Sequence, residues 1–223
     1  MTGTGRHLVV TIDGPAGAGK STVARRLARR LGFAYVNSGA IYRAVAWQVA
    51  RGHPLADVLA HTRIEFRGPV GEQRVIVDGE DATDALPGHE VSELAARLSQ
   101  RPQVRAFADA LQRRHAAQGP LVVEGRDAGS VVFPRAECKF YLDASLDARA
   151  RRRLGDRRAT ESGEDLAAIR AAIAARDRAD QTRTVAPLAR ASDATYIDSS
   201  EMTVDEVVEL MTKETERTCS TRS

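Results

Sequence analysis

Apolar positions along the chain gather in short β-rich runs separated by longer stretches of helical spacing. Five runs stand out: Leu8–Asp13, Ala34–Asn37, Leu121–Glu124, Lys139–Asp143 and Thr195–Asp198. Between them Lys20–Leu31, Ala40–Arg51 and Pro102–Gln118 read as helices. A last helix is expected over Thr203–Glu216, where Thr203 and Glu206 have capping-box spacing. Strands alternating with helices predict βαβ units, hence an α/β fold with a parallel sheet and helices on both faces. Two segments break the alternation. Ile64–Arg67 and Arg74–Val77, joined by Gly68-Pro69-Val70-Gly71, predict a small antiparallel insert within Arg63–Gly88. Ala148–Arg183 is polar and arginine-loaded, with Gly155 and Gly163 as breaks. It is either a solvated helix or a mobile cover over an anionic ligand. The tail from Thr218 to Ser223 is small and polar and is expected to fray.

Composition narrows the class. A chain of 223 residues, 43% hydrophobic, suits one globular domain with insertions. No apolar run approaches the ~20 residues of a membrane span, and Met1–His7 lacks the apolar segment of a signal peptide. Cys138 and Cys219 have neither metal nor redox spacing, which makes a reducing cytoplasm the expected location. Of the 33 basic residues only Lys20, Lys139 and Lys213 are lysines. The net charge is only +3, and aromatics at 4% leave little for stacking on single-stranded nucleic acid. Most arginines therefore read as solvated surface, but arginine beside a phosphate motif suits bidentate phosphate binding.

Such a motif is present. Gly14-Pro15-Ala16-Gly17-Ala18-Gly19-Lys20-Ser21 fits G-x-x-x-x-G-K-S, with a strand before it and a helix after it. Glycines let the backbone curl so that successive N–H groups point at phosphate oxygens, and the helix adds its N-terminal partial charge. Lys20 is expected on the β- and γ-phosphates of ATP and the Ser21 hydroxyl on Mg²⁺. Two further turns fall at the same carboxyl edge of a parallel sheet, where open α/β folds bind ligands. In Asn37-Ser38-Gly39-Ala40-Ile41-Tyr42-Arg43, Ser38 reads as a helix N-cap, a ligand contact, or both. In Glu124-Gly125-Arg126-Asp127-Ala128-Gly129-Ser130, an Arg-Asp pair between glycines points to a site, since an exposed ion pair would contribute little. Arg176, Asp180 and Arg183 recur at helical spacings of four and three and would share one face.

These segments together with Ile12-Asp13, Thr22, Pro102-Gln103-Val104-Arg105, Val131-Val132-Phe133-Pro134 and Val185-Ala186-Pro187-Leu188 resemble the bacterial cytidylate kinases, within the nucleoside-monophosphate kinase family. They occur in the family's order from residue 8 to about residue 210. The resemblance implies a single P-loop kinase domain over 1–223, built on a five-stranded parallel sheet. Its core would span about 1–38, 119–147 and 184–217. A monophosphate-binding part with the β insert would span about 39–118, and an arginine-rich lid about 148–183. It implies transfer of the γ-phosphate of ATP to CMP, and to dCMP, with Mg²⁺, by a monomer that engages neither nucleic acid nor membrane. Gly14, Pro15, Ala16, Gly17, Ala18, Gly19, Lys20, Ser21 and Thr22 would bind ATP. Ser38, Tyr42, Arg43, Arg105, Arg126, Asp127, Arg176, Asp180 and Arg183 would bind CMP. Among these, Ser38, Arg43 and Arg126 would take its phosphate, Arg105 and Asp127 its base, and Arg176 and Asp180 its ribose. Lys20, Arg126, Arg183, Arg152 and Arg157 would carry catalysis by neutralising charge. The chain departs from the family at Asn37 and Glu124, where Asp is usual, and at Ala96, where a serine commonly contacts the base; Ser92 or Ser99 are its candidate substitutes. The rival readings are a kinase of the same fold for UMP, AMP or shikimate, and a P-loop ATPase or switch protein.

Overall fold

A computed structural model describes residues 7–155, 165–183 and 185–220. Strands β1 (Val9–Asp13), β2 (Ala34–Asn37), β6 (Leu121–Gly125), β7 (Cys138–Asp143) and β8 (Thr195–Asp198) form one sheet in the order β2-β6-β1-β7-β8, every pairing parallel. The register sets Asp13 beside Gly125 and Tyr141, and Asn37 beside Glu124. Three strand ends, and the turns that follow them, therefore meet at one edge.

The sheet is buried on both faces, as its continuous apolar runs require. Val10, Ile12, Phe140, Leu142 and Ile197 pack against α1 (Lys20–Leu31) and α8 (Val204–Ser220) through Leu27 and Met211. Val9, Val36, Leu121 and Val123 face the other way, onto α2 (Ser38–Ala50), α4 (His89–Leu98) and α5 (Pro102–Ala116). Alternate residues of each strand feed alternate layers, the period-two rule of a strand.

The insert forms as expected and gains a short third strand. β3 (Ile64–Arg67), β4 (Arg74–Val77) and β5 (Glu80–Asp81) are antiparallel neighbours. Val75 and Val77 sink into the α2/α5 layer, and the Asp78 carboxylate holds the Arg63 N–H at 2.7 Å and the Gln48 amide at 2.6 Å.

Several boundaries need correction. α2 begins at Ser38, earlier than Ala40, because the Asn37 side chain caps it by accepting from the Ala40 N–H at 3.0 Å. The cap is thus Asn37, and Ser38 is already helical. Helices α3 (Leu55–His61) and α4 were not anticipated. The Thr203–Glu206 capping box is present, with Glu206 accepting from the Thr203 N–H at 2.8 Å. The tail expected to fray from Thr218 is helical through Ser220, where hydroxyls of Thr218 and Ser220 bond back to the carbonyls of Glu214 and Glu216. The arginine-rich segment contains helices α6 (Leu146–Gly155) and α7 (Leu166–Gln181), which share a small apolar seam of Leu146, Ala150, Leu154, Ile169 and Ile173. Arg157, Arg158 and Gly163 lie outside the described residues.

One close approach governs the sheet edge. A Cβ on Gly14, whose φ is 149°, would sit 2.0 Å from the Leu142 carbonyl oxygen, a backbone atom that cannot move aside. Gly32 ends α1 at φ 69° with open space around it. We expect Gly14→Ala to cost on the order of 4 kcal/mol or more. Gly32→Ala should cost only about 1–2 kcal/mol, the ordinary left-handed penalty. Urea unfolding of both variants measures the contrast, and equal midpoints would show that the strand end is more plastic than described.

Candidate active site

The phosphate loop curls between β1 and α1 with Gly14, Gly17 and Gly19 all at positive φ. Gly19 sits at the N-cap of α1, and no side chain satisfies the first turn of that helix. Its N–H groups and dipole are thus directed at whatever fills the loop. Lys20 is buried beneath, its Nζ donating to the Pro15 carbonyl at 2.7 Å across the loop. Burial, with the Arg126 cation as the next contribution, lowers its pKa to about 7, against the pull of Glu124 and Asp13. Ser21 follows on the first turn, partly exposed.

Next to the loop lies the turn after β6. Arg126 donates from Nε to Asp180 at 2.8 Å and from Nη1 to the Gly14 carbonyl at 3.1 Å. Asp180 is buried and also accepts from Arg183. Arg176, one turn earlier on α7, has its pKa lowered first by desolvation and then by the Arg126 charge. Arg43 on α2 is half-buried; its Nε is buried with no hydrogen-bond partner, and burial lowers its pKa. Four guanidinium groups thus converge on Asp180 and Glu124, which together carry too little negative charge to neutralise them. A buried donor left unpaired and cations held in like-charge company both favour an anion at this place.

A second pocket element pairs Arg105 of α5 with Asp127. Both are buried; the guanidinium bonds the carboxylate, reaches the Ser99 carbonyl at 3.5 Å, and stands 5.9 Å from the centre of the Tyr42 ring. Burial raises the Asp127 pKa to about 6, although Arg105 pulls it down. Ser38 does not face this pair. Its hydroxyl donates to the Glu124 carbonyl at 2.7 Å. Of the substitutes considered for Ala96, the Ser99 hydroxyl is committed to the Ala96 carbonyl at 2.8 Å.

The arginine-rich helices reach the loop from the far side. Arg152 bonds the Ser199 carbonyl, its hydroxyl at 3.1 Å and the Ala18 carbonyl at 3.4 Å. Through Ala18 it touches the phosphate loop directly. Asp177 had not been assigned a role from the sequence, and Arg149 had only a loose place among the lid arginines. Asp177 accepts the Ala16 N–H at 3.2 Å, and Arg149 bonds Asp177 and donates to the Ala16 carbonyl at 2.9 Å. Twenty-eight positions separate the pair, a distance no local pattern could bridge. Also missed were Asp13, whose carboxylate takes two backbone N–H groups, and Glu124, which accepts from the Tyr35 hydroxyl at 2.7 Å. An acid ending an otherwise apolar strand was the available signal for both.

Among the described residues no cluster of three His, Cys, Asp or Glu side chains could hold a metal, and no helix is long and apolar enough to cross a membrane.

A glycine-rich loop on a central parallel strand, with buried arginines converging beside it, defines a P-loop nucleotide kinase. The cytidylate kinase family model matches residues 10–217. A cytidylate kinase of Symbiobacterium thermophilum is 44% identical, over 98% of this chain and 100% of that protein. Another, of Rhodococcus opacus, is 44% identical over 90% and 91%. Among solved structures, TT1252 from Thermus thermophilus shares the fold, with a TM-score of 0.52 at 20% identity over 95% of this chain and 98% of that one. The chain belongs to the cytidylate kinase family.

The depressed pKa of Lys20 gives a calorimetric prediction. Above about pH 7 the free amine is largely neutral, and a triphosphate beside it must recharge it, so nucleotide binding takes up a proton. Titrating an ATP analogue at about pH 8 in two buffers of different ionisation enthalpy should show uptake in the wild type that Lys20→Met lacks. At about pH 5.5, where Lys20 is already charged, the difference should vanish.

Proposed function

We propose that the chain transfers the γ-phosphate of ATP to CMP, and to dCMP, giving ADP and the diphosphate. The observation that carries this reading is the buried Arg105–Asp127 pair beside the converging arginines. An ionised carboxylate only accepts and a guanidinium only donates. Cytosine is complementary, with an N4 amino donor for Asp127 and O2 or N3 acceptors for Arg105. Uracil presents O4 to Asp127, and two acceptors facing each other leave a buried group unpaired.

The other roles follow from position. Arg43 and Arg126 would grip the acceptor phosphate, a reading supported by the unpaired Arg43 Nε. Ser38 would need only a hydroxyl rotation to join them. Tyr42 would wall the base beside Arg105. Arg176 and Asp180 would hold the ribose, with Arg183 next to the phosphoryl group in flight. Residues 14–22 would wrap the triphosphate, with Lys20 on its β- and γ-phosphates. The Ser21 hydroxyl would hold the Mg²⁺ that the nucleotide brings, and that ion would neutralise charge between the phosphates. Arg152 would brace the loop from below. No general base is required, because the acceptor phosphate is already an anion; positioning and charge neutralisation carry the rate. We further propose the division into a core, a monophosphate-binding part at about 39–118 and a lid at about 148–183. The separate apolar seam of α6 and α7 supports it.

A coupled assay comparing CMP, dCMP, UMP, AMP and shikimate tests the acceptor; preference for anything but a cytosine nucleotide refutes the proposal. Lys20→Ala should reduce kcat on the order of 10²–10³ while the fold persists. Asp127→Asn should narrow the CMP/UMP ratio of kcat/KM by roughly 10- to 100-fold. If both values fall together and the ratio stands, Asp127 supports the turn without reading the base. In the wild type, kcat/KM for CMP should fall as pH drops through about 6, because a protonated Asp127 no longer accepts freely from N4. The Asp127→Asn profile should lose that limb.

A further inference from the structure

We infer that Asp13 is a positioning residue that sets the acceptor-reading turn from the ATP side of the site. The inference rests on the reading of Arg126 and Asp127 as acceptor-binding groups and adds a residue to it. Asp13 ends β1, directly before the phosphate loop, and is 5% exposed. Its two carboxylate oxygens accept from consecutive backbone N–H groups, Ala128 at 2.8 Å and Gly129 at 2.7 Å. Those peptides immediately follow Asp127 and open the π-type turn Ala128–Val132. The Asp127 carbonyl accepts in turn from Val131 at 2.9 Å and Val132 at 3.3 Å. The backbone that leaves the base-reading carboxylate is thereby held, and its direction follows from the grip of Asp13.

The clasp runs in both directions. Arg126, the residue before Asp127, donates to the carbonyl of Gly14, the residue after Asp13, at 3.1 Å. Three hydrogen bonds thus join the start of the ATP loop to the turn that would hold the acceptor's phosphate and base. Space enforces the fit. A Cβ on Gly129 would stand 2.6 Å from the Thr11 hydroxyl oxygen, 3.3 Å from the Asp13 carboxylate and 3.3 Å from the Lys139 chain. Lys139 is itself fixed to the Pro134 carbonyl at 2.6 Å and to Asp193. Two peptide N–H groups need two acceptors, and only a carboxylate of this reach supplies both. Asparagine keeps the shape but turns a donor toward one of the N–H groups.

Asp13→Asn should therefore raise KM for CMP by about 10- to 100-fold, the usual result of leaving a buried donor unpaired. The dissociation constant of a non-hydrolysable ATP analogue should stay within about twofold in Gly129→Ala, which keeps the Asp13 charge beside Lys20 and leaves the glycines of the loop in place. That variant, which pushes the same peptides off Asp13, should also reproduce the rise in KM and carries the test if Asp13→Asn fails to fold. An unchanged KM for CMP in these variants overturns the inference, and so does a parallel loss of analogue affinity in Gly129→Ala, which would mark a merely structural role. The acceptor assignment fails separately, if the wild type does not use CMP or if Asp127→Asn leaves the CMP/UMP ratio untouched.

Discussion

Charge buried at one end of the sheet is the constraint on which the rest of this protein depends. Asp13, Lys20, Glu124, Arg105 and Asp127 are all buried at or beside the carboxyl ends of β1 and β6. Taking so many ionisable groups out of water is unfavourable unless each finds partners of good geometry. The fold supplies them in layers: backbone N–H groups for Asp13, the loop carbonyl for Lys20, a tyrosine hydroxyl for Glu124, and each other for Arg105 and Asp127. Among the described residues the buried Arg43 Nε keeps no partner, and it stands with Arg126 and Arg176 beside the phosphate loop.

Much of this was legible in the chain, for reasons that differ from element to element. The central strands are short apolar runs bounded by glycine or polar residues, so β2, β8 and the helix over Lys20–Leu31 were read to the residue. The phosphate-loop motif is encoded locally, within the nine residues Gly14–Thr22, although the side chains that brace it come from elsewhere. α3 and α4 were missed because they are short or polar-faced and bury few residues, Val58 in the first and Ala95 and Leu98 in the second. At α2 the error was one of chemistry. Asn37 and Ser38 are both capable caps, and only the strand end decides which side chain turns to the helix and which to Glu124.

Long-range pairs set the limit. Arg126 with Asp180, Arg105 with Asp127 and Arg149 with Asp177 join residues 54, 22 and 28 positions apart. Each residue was visible as a charge, but the sequence cannot rank its partners. Arg152 illustrates the point: it was visible as one of several clustered arginines, but its contacts with Ser199 and Ala18 were not. Asp177 and Arg149 also show why α6 and α7 are more than a solvated surface. They grip both polar groups of Ala16, so a displacement of these helices is felt at the phosphate loop without passing through a ligand.

The insert's turn has a further consequence. β2 is an outer strand of the parallel sheet, and outer strands offer unpaired backbone groups to any passing chain. The Gln73 amide of the insert donates to the Tyr35 carbonyl at 3.1 Å, and Val70 packs against the apolar layer nearby. A small β unit that reads as an ornament on the acceptor side thus also covers a sticky margin of the molecule. Shortening that turn would uncover the outer edge of β2 as a template for aggregation.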